Sequence, residues 1–185
     1  PPPPPPAPPP PPREPPADPA PRHAVDAETT MTEYVLPTHA NALGNVFGGQ
    51  ILAWMDLCAA ICAQRYAGRV CVTAGIDELS FEQPIRIGEV VKLRASVTAA
   101  FRTSLEIRVE VEGEDATTRR TWPCCSAFLS FVARGDEGRP ARVPPLLVEG
   151  TEARERFEAA TRRRERRLAH RRAELSPASG SVPPR

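Results

Sequence analysis

Residues 39–64, HANALGNVFGGQILAWMDLCAAICAQ, decide how this chain folds. After the two glycines, Gln50, Asp56 and Gln64 are the only polar side chains before Arg65. A helix that is apolar on nearly all sides is normally buried in a core. The stretch therefore predicts a long buried helix over residues 48–67, with one carboxylate in its middle.

The segments around this helix have the alternating pattern of β-strands. MTEYVLP, residues 31–37, reads as an opening strand, and after the helix the hydrophobic period changes from 3.6 to 2. In VVKLRASV, residues 90–97, and LEIRVEVE, residues 105–112, alternation predicts a hairpin with one wet face, which carries Glu106. A last strand ends at Gly135. This order predicts an α+β domain in which an antiparallel sheet wraps around one central helix.

Composition divides the chain into four parts. Residues 1–25 hold most of the 24 prolines and are predicted to be a disordered Pro-rich tail. Residues 26–140 are the predicted folded domain, 141–175 a linker and an Arg-rich helix, and 176–185 a second disordered tail. No stretch is apolar enough to span a bilayer and no signal-peptide pattern is visible, so we expect a soluble, cytoplasmic protein with no membrane partner.

The five cysteines indicate neither a disulfide framework nor a metal site. Their number is odd and no secretory signal accompanies them. Cys58 and Cys62 share a helix face, but no His or second Cys pair follows at zinc-finger spacing. We expect buried free thiols, no metal and no cofactor.

Asp56 is the residue that needs an explanation. A carboxylate on an apolar helix is costly unless it is paired or functional. It could pair with Arg65 or lie exposed at a subunit interface, or it could act as a partly desolvated general base or nucleophile. Asn41, in the preceding loop, either orients a water or an acyl carbonyl or serves as an Asx-turn residue.

Gly48 and Gly49 lie where the loop enters the helix. The unpaired N–H groups of a first helical turn form an oxyanion hole, although tight packing would also explain two glycines. Asp56 lies roughly 10 Å further along the helix, at ~1.5 Å per residue. A base and an oxyanion hole must both come within about 3 Å of one reacting centre. Two helices related by a two-fold axis would meet that condition, which predicts a dimer with composite sites.

Four segments together carry a family resemblance. They are LPTHANALGNVFGGQILAWMD (36–56), SFEQPIRIGEVVKLRASV (80–97), RTSLEIRVEV (102–111) and AFLSFVA (127–133). Over residues 26–172 the chain resembles the hotdog-fold acyl-CoA thioesterases of the cytosolic, brain-type and bacterial acyl-CoA hydrolase group.

This resemblance implies hydrolysis of acyl-CoA to a free fatty acid and CoA. It implies Asn41 and Asp56, from opposing domains, as the catalytic pair, and the amides of Gly48 and Gly49 as the groups that polarise the thioester carbonyl. It also implies a homodimer, as single-domain members assemble as dimers and often as trimers of dimers.

The sequence leaves the mechanism, the acyl chain length and two alternative functions open. Asp56 could activate water or attack the thioester to give an anhydride. Acyl chain length depends on the depth of a tunnel between subunits, whose candidate lining residues are Trp54, Met55, Phe81 and Phe128. The alternative functions are an enoyl-thioester dehydratase, for which His39 would be the candidate base, and a non-catalytic acyl-CoA-binding module.

The phosphates of CoA require positive charge or hydroxyl donors nearby. Residues at strand ends or turns are the candidates: Arg86, Arg102, Thr103 and Ser104. The Arg-rich helix could reach the nucleotide end of CoA, but i,i+4 pairs such as Glu158–Arg162 favour a solvated helix. Without interleaved aromatics or a DNA-binding motif, we expect no nucleic-acid partner.

Overall fold

The computed structural model describes residues 19–77 and 79–175, the last two without their side chains. The elements are β1 (Thr29–Tyr34), α1 (Gly48–Ala67), β2 (Cys71–Ile76), β3 (Ser80–Phe81), β4 (Val90–Ala100), β5 (Ser104–Glu114), β6 (Thr121–Ala133) and α2 (Gly150–Leu175), with short 3-10 turns at Ala24–Ala27, Pro37–His39 and Asp136–Gly138. The predicted tail over residues 176–185, and most of the one over residues 1–25, lie outside the described residues.

All strands belong to one antiparallel sheet in the order β1-β4-β5-β6-β2, with the short β3 also paired to β6. Alternate residues of the long central strands, such as Leu105, Ile107 and Val109 on β5, are fully buried and belong to the same core as the residues of α1. The predicted α+β architecture, an antiparallel sheet curled around one long helix, is confirmed.

One face of α1 consists of small side chains that pack against the sheet. Cys58, Ala59, Cys62 and Ala63 have no exposed surface, which lets the helix approach the strands closely. The opposite side is open in the single chain, where Leu57 is 52 % exposed. The prediction that α1 is buried on nearly all sides is therefore wrong for one protomer, because the sheet covers only part of the helix circumference.

The C-terminal end of α1 is held by a segment that the sequence assigned to a disordered tail. Arg22 Nη1 donates to the carbonyls of Tyr66, at 2.6 Å, and Arg65, at 3.3 Å. These last helical carbonyls have no partner inside the helix, and a cation is favoured beside them. The backbone of Arg22 also pairs with Leu146. The ordered structure thus begins before residue 26, the predicted start of the domain.

The second helix, α2, lies on the face of the sheet opposite α1. This placement follows from Glu106, whose neighbours Leu105 and Ile107 point into the core while Glu106 is bonded to Arg163 and Arg167 of α2. Glu106 has no exposed surface. The predicted wet face of the hairpin is therefore wrong at this position, because α2 covers it.

All five cysteines are buried and free, as predicted. Burial raises the pKa of the Cys58 thiol to about 11 and that of Cys62 to about 12, so both are protonated at neutral pH. Within residues 19–77 and 79–175, no group of His, Cys, Asp and Glu could hold a metal ion. No helix in this part of the chain is long and apolar enough to cross a membrane.

Candidate active site

Asp56 is half-buried on α1 and is bonded to a neutral partner on the edge strand β2. The hydroxyl of Thr73 donates to Asp56 Oδ1 at 2.6 Å. Arg65, the partner considered from the sequence, donates instead to Thr29 Oγ1 at 3.1 Å. The carboxylate therefore keeps lone pairs that could accept a proton from a bound water.

No sequence pattern indicated Thr73, which lies 17 residues after Asp56. Thr73 is one of several exposed residues on a strand of ordinary composition. Only the pairing of β2 with β6 and the packing of α1 on the sheet place its hydroxyl beside the carboxylate.

Asn41 organises the loop that precedes α1. Its side-chain oxygen accepts the N–H groups of Leu43, at 2.9 Å, and Asn45, at 3.2 Å. The Asx-turn interpretation is therefore correct. Because the loop backbone occupies the oxygen, the side-chain NH₂ group is the part of Asn41 that is left to donate to a ligand.

The two glycines leave open donors at the start of α1. Gln50 N and Ile51 N both donate to Phe47 O, at 2.9 and 3.3 Å, and the side chain of Phe47 offers no cap. Among the described residues, the N–H groups of Gly48 and Gly49 have no acceptor. A Cβ at position 49 would lie 2.5 Å from Cε1 of the exposed Phe47 ring, so a larger residue there would displace that ring.

Asn41 and Gly48 line one pocket of about 320 Å³, together with Phe81, Ile85 and Cys124. Asp56 is not among its lining residues. It lies eight residues beyond Gly48 on the same continuous helix, roughly 12 Å away at ~1.5 Å per residue. One protomer thus brings the loop asparagine and a helix-terminal amide together, but not the carboxylate.

His39 is held by its own surroundings. Its Nδ1 accepts the N–H of Leu36 at 3.3 Å, and its ring packs edge-on against Trp54 with 5.0 Å between the ring centroids. One ring nitrogen accepts a backbone N–H, and the ring packs edge-on against Trp54. These contacts explain His39 structurally, and no observation favours it as a catalytic base.

Within one protomer, Arg86 is far from the other three residues predicted to bind CoA phosphates, Arg102, Thr103 and Ser104. Arg86 pairs through its backbone with Asn45, beside the pocket that contains Asn41. Arg102 and Thr103 lie at the other end of the 11-residue strand β4, over 30 Å away at ~3.3 Å per residue. Ser104 lines a different cavity, under α2.

Of the residues predicted to line an acyl tunnel, Phe81 borders the pocket of Asn41 and Gly48. Phe128 is on the outer face of the sheet, where the Arg163 guanidinium lies 3.5 Å from its ring centroid. The alternation of β6 turns the Phe128 side chain towards α2, so within one protomer it does not line the pocket of Asn41 and Gly48.

Exposed apolar side chains neighbour Asp56 and Thr73 along α1 and β2. Leu57 is next to Asp56 on α1, and on β2 Val72 and Ile76 are 37 % and 42 % exposed. Within the described residues, β2 has one neighbour in the sheet, β6, so its other edge carries unpaired backbone groups. Exposed apolar side chains beside an open strand edge are typical of an association surface.

Comparison with known proteins gives a consistent result. Residues 43–119 match the family model described as the thioesterase superfamily. The acetyl-coenzyme A thioesterase of Mus musculus is 37 % identical over 143 residues, which are 77 % of this chain and 26 % of the mouse protein. The chain thus spans about a quarter of the length of the first such relatives.

Solved structures match over nearly their whole length. An acyl-CoA hydrolase from Staphylococcus aureus, solved with butyryl-CoA, CoA and CoA disulfide, is 31 % identical with a TM-score of 0.76, covering 83 % of this chain and 93 % of that one. A hexameric acyl-CoA thioesterase is 33 % identical with a TM-score of 0.77, covering 84 % and 99 %.

The Staphylococcus aureus hydrolase has also been solved with an asparagine, an aspartate and a threonine individually replaced by alanine. In that chain the aspartate follows the asparagine by 15 residues, and the threonine follows the aspartate by 17. Asn41, Asp56 and Thr73 have the same two separations here.

Proposed function

The chain belongs to the thioesterase superfamily, and we propose that it hydrolyses acyl-CoA thioesters to a free acid and CoA. The observation that carries the proposal is the half-buried Asp56 carboxylate, held by Thr73 on an otherwise apolar helix. Its spacing from Asn41 and Thr73 is that of the three residues replaced in a hydrolase whose structure holds CoA ligands.

We further propose that the catalytic unit is a homodimer with two composite sites. Within one protomer Asp56 is too far from Gly48 for both to act on one carbonyl, and the apolar surface around Asp56 is open. A two-fold axis beside β2 would cover that surface and bring Asp56 to the partner's pocket. The hexameric relatives support assembly of such dimers into a trimer of dimers.

In this arrangement the amide of Gly48 or Gly49 donates to the thioester oxygen, where negative charge develops during attack. The Asn41 NH₂ group of the same protomer positions the water or the carbonyl. Asp56 of the partner subunit accepts a proton from the water as it attacks, while Thr73 fixes one carboxylate oxygen. The CoA thiolate is a good leaving group, so no strong general acid is required. Attack by Asp56 itself, through an anhydride, would use the same groups.

For the phosphates of CoA, Arg86 is the candidate that we retain at this pocket. Its neighbour Ile85 lines the cavity, and its backbone pairs with Asn45 of the Asn41 loop. Arg102, Thr103 and Ser104 could reach the same substrate only from another subunit, and they stay predictions.

We also propose a cytoplasmic location, which is supported by similarity to a cytosolic acyl-CoA thioester hydrolase of Mus musculus.

The test is release of free CoA thiol from a panel of acyl-CoAs of increasing chain length. The Asp56→Ala variant should lose about 10²- to 10⁴-fold in kcat, the usual range for a general base. The buried cysteines, with raised pKa values at Cys58 and Cys62, should react slowly with the thiol reagent, and a blank without substrate measures their contribution. A wild type that releases no thiol from any acyl-CoA would refute the proposed hydrolysis.

Mixing two inactive variants tests the composite site separately. Equal amounts of Asp56→Ala and Asn41→Ala protein, unfolded and refolded together, should form heterodimers with one intact site each. About a quarter of the wild-type activity should then return, because half of the dimers are mixed and half of their sites are intact. If each site were built within one protomer, no mixed dimer would contain an intact site, and activity would not return.

A further inference from the structure

The pocket that contains Asn41 has a closed apolar end and one exposed aromatic wall. Ile51, Ile85 and Cys124 line it and are buried in the core, whereas Phe81, which also lines it, is 49 % exposed. None of the described lining residues is Lys or Arg. The inner end of the pocket therefore suits the hydrocarbon part of a thioester, and the phosphate groups of CoA would lie outside it.

The backbone of Phe81 is fixed on the sheet although its ring is half-exposed. Phe81 belongs to β3 and is paired with β6. In the next residue, the N–H of Glu82 donates to the carbonyl of Cys124 at 2.8 Å. Further along the same segment, the carbonyl of Pro84 accepts the indole N–H of Trp122 at 3.1 Å. The ring is therefore attached to a backbone that is held in place beside the pocket.

The ring of Phe81 also reaches the start of α1. A Cβ at position 48 would lie 3.4 Å from both Cε2 and Cζ of Phe81, which is van der Waals contact. The N–H of Gly48 is one of the two proposed donors to the thioester oxygen, and its nitrogen is bonded to the same Cα. An oxygen that accepts this N–H lies about 2.9 Å from the nitrogen. The ring therefore borders the space that the first acyl carbons would occupy.

We propose that Phe81 makes the protein select acyl groups that are unbranched next to the carbonyl. This inference rests on the proposed hydrolysis of acyl-CoA. A ring beside the first acyl carbons limits the width of the pocket at that point, so a methyl group on the carbon next to the carbonyl would collide with it. The buried side chains of Ile51 and Ile85 close the inner end of the pocket and limit its length. Phe81 therefore discriminates by branching and not by chain length.

The test compares butyryl-CoA with its branched isomer isobutyryl-CoA, which has the same atoms and the same charge. The full chain should show a kcat/KM at least ~10-fold higher for butyryl-CoA, since one methylene in an apolar pocket changes this ratio about 10- to 200-fold. Phe81→Ala removes the ring and should bring the two values within roughly 3-fold of each other. The ratio of butyryl-CoA to hexanoyl-CoA should stay as in the wild type, because the inner end of the pocket is unchanged.

Phe47→Ala is the matched control. The Phe47 ring is 61 % exposed and lies next to Gly49, but it does not line the pocket. Its removal should leave the ratio of butyryl-CoA to isobutyryl-CoA hydrolysis unchanged. Because this ratio is taken within one variant, a loss of active dimers does not affect it.

Four results would overturn the role of Phe81 while acyl-CoA hydrolysis stands. They are equal hydrolysis of the two isomers by the wild type, an unchanged ratio in Phe81→Ala, an equal shift in Phe47→Ala, and a change in chain-length preference as large as the change in branching preference. A wild type that hydrolyses neither isomer also overturns it, and if no other acyl-CoA is hydrolysed, the proposed function fails as well.

Discussion

Two carboxylates of this protein, those of Glu106 and Asp56, differ in how many groups neutralise or bond them. Glu106 has no exposed surface and is bonded to Arg163, Arg167 and the hydroxyl of Thr98. Asp56 is half-buried and is bonded to one neutral hydroxyl. Asp56 is on a helix whose other side chains are largely apolar, whereas Glu106 is on a strand that alternates apolar and polar residues.

Removing a charged carboxylate from water carries a free-energy penalty, and the two sites offset this penalty in different ways. Two guanidinium groups balance Glu106 completely, and this leaves its oxygens no capacity for further chemistry. Asp56 lies at an open edge and is not fully desolvated, so one hydrogen bond is enough there and its remaining lone pairs stay accessible. Saturation by arginines marks Glu106 as a structural carboxylate, and the incomplete shell of Asp56 is what its proposed catalytic role requires.

The largest expected effect comes from removing each charge in turn. Glu106→Gln leaves two arginines facing a neutral side chain and should lower the free energy of unfolding by about 3–5 kcal/mol, measured by urea titration. Asp56→Asn is the matched change and should alter stability by no more than ~0.5 kcal/mol while abolishing hydrolysis. Equal destabilisation by the two variants would mean that Asp56 is also a structural residue.

A smaller effect is expected from the two arginines that contact Glu106. Among the described residues, Arg163 forms its ion pair with Glu106, whereas Arg167 also binds Asp77, which follows β2, at 2.6 Å. Either Arg→Gln change should cost about 1–3 kcal/mol of unfolding free energy, since one donor to a buried carboxylate is lost. Arg167→Gln should in addition lower kcat, because it frees the end of the strand that carries Thr73.

If Arg163→Gln lowered kcat as much as Arg167→Gln, then loss of α2 packing in general, and not the link to Asp77, would be responsible.

The smallest effect is expected at Thr73. Thr73→Val keeps the shape but removes the donor to Asp56, and kcat should fall roughly 10-fold, as for a hydrogen bond to a partly exposed charge. KM should change little, because in the proposed site Thr73 contacts the Asp56 carboxylate and not the substrate. Thr73→Ser restores the hydroxyl and should recover most of the rate. A Val variant with wild-type kcat would show that Asp56 needs no positioning by β2.

Much of the fold and part of the site follow from local sequence patterns. The period of 3.6 over residues 48–67 and the period of 2 in the strands depend only on which residues lie side by side, so α1 and the central hairpin could be predicted. The separations of Asn41, Gly48 and Asp56 along the chain can also be read from the sequence, and the catalytic roles of these residues stay predictions.

The tertiary structure decided everything that depends on contacts between distant residues. The partner of Asp56 is 17 residues away, and those of Glu106 are 57 and 61 residues away on α2. Nothing in the alternation of β5 distinguishes Glu106 from Glu110, because burial there depends on where α2 packs. The residues themselves determined a helix with a lone acid, and packing determined which acid is neutralised and which is left able to react.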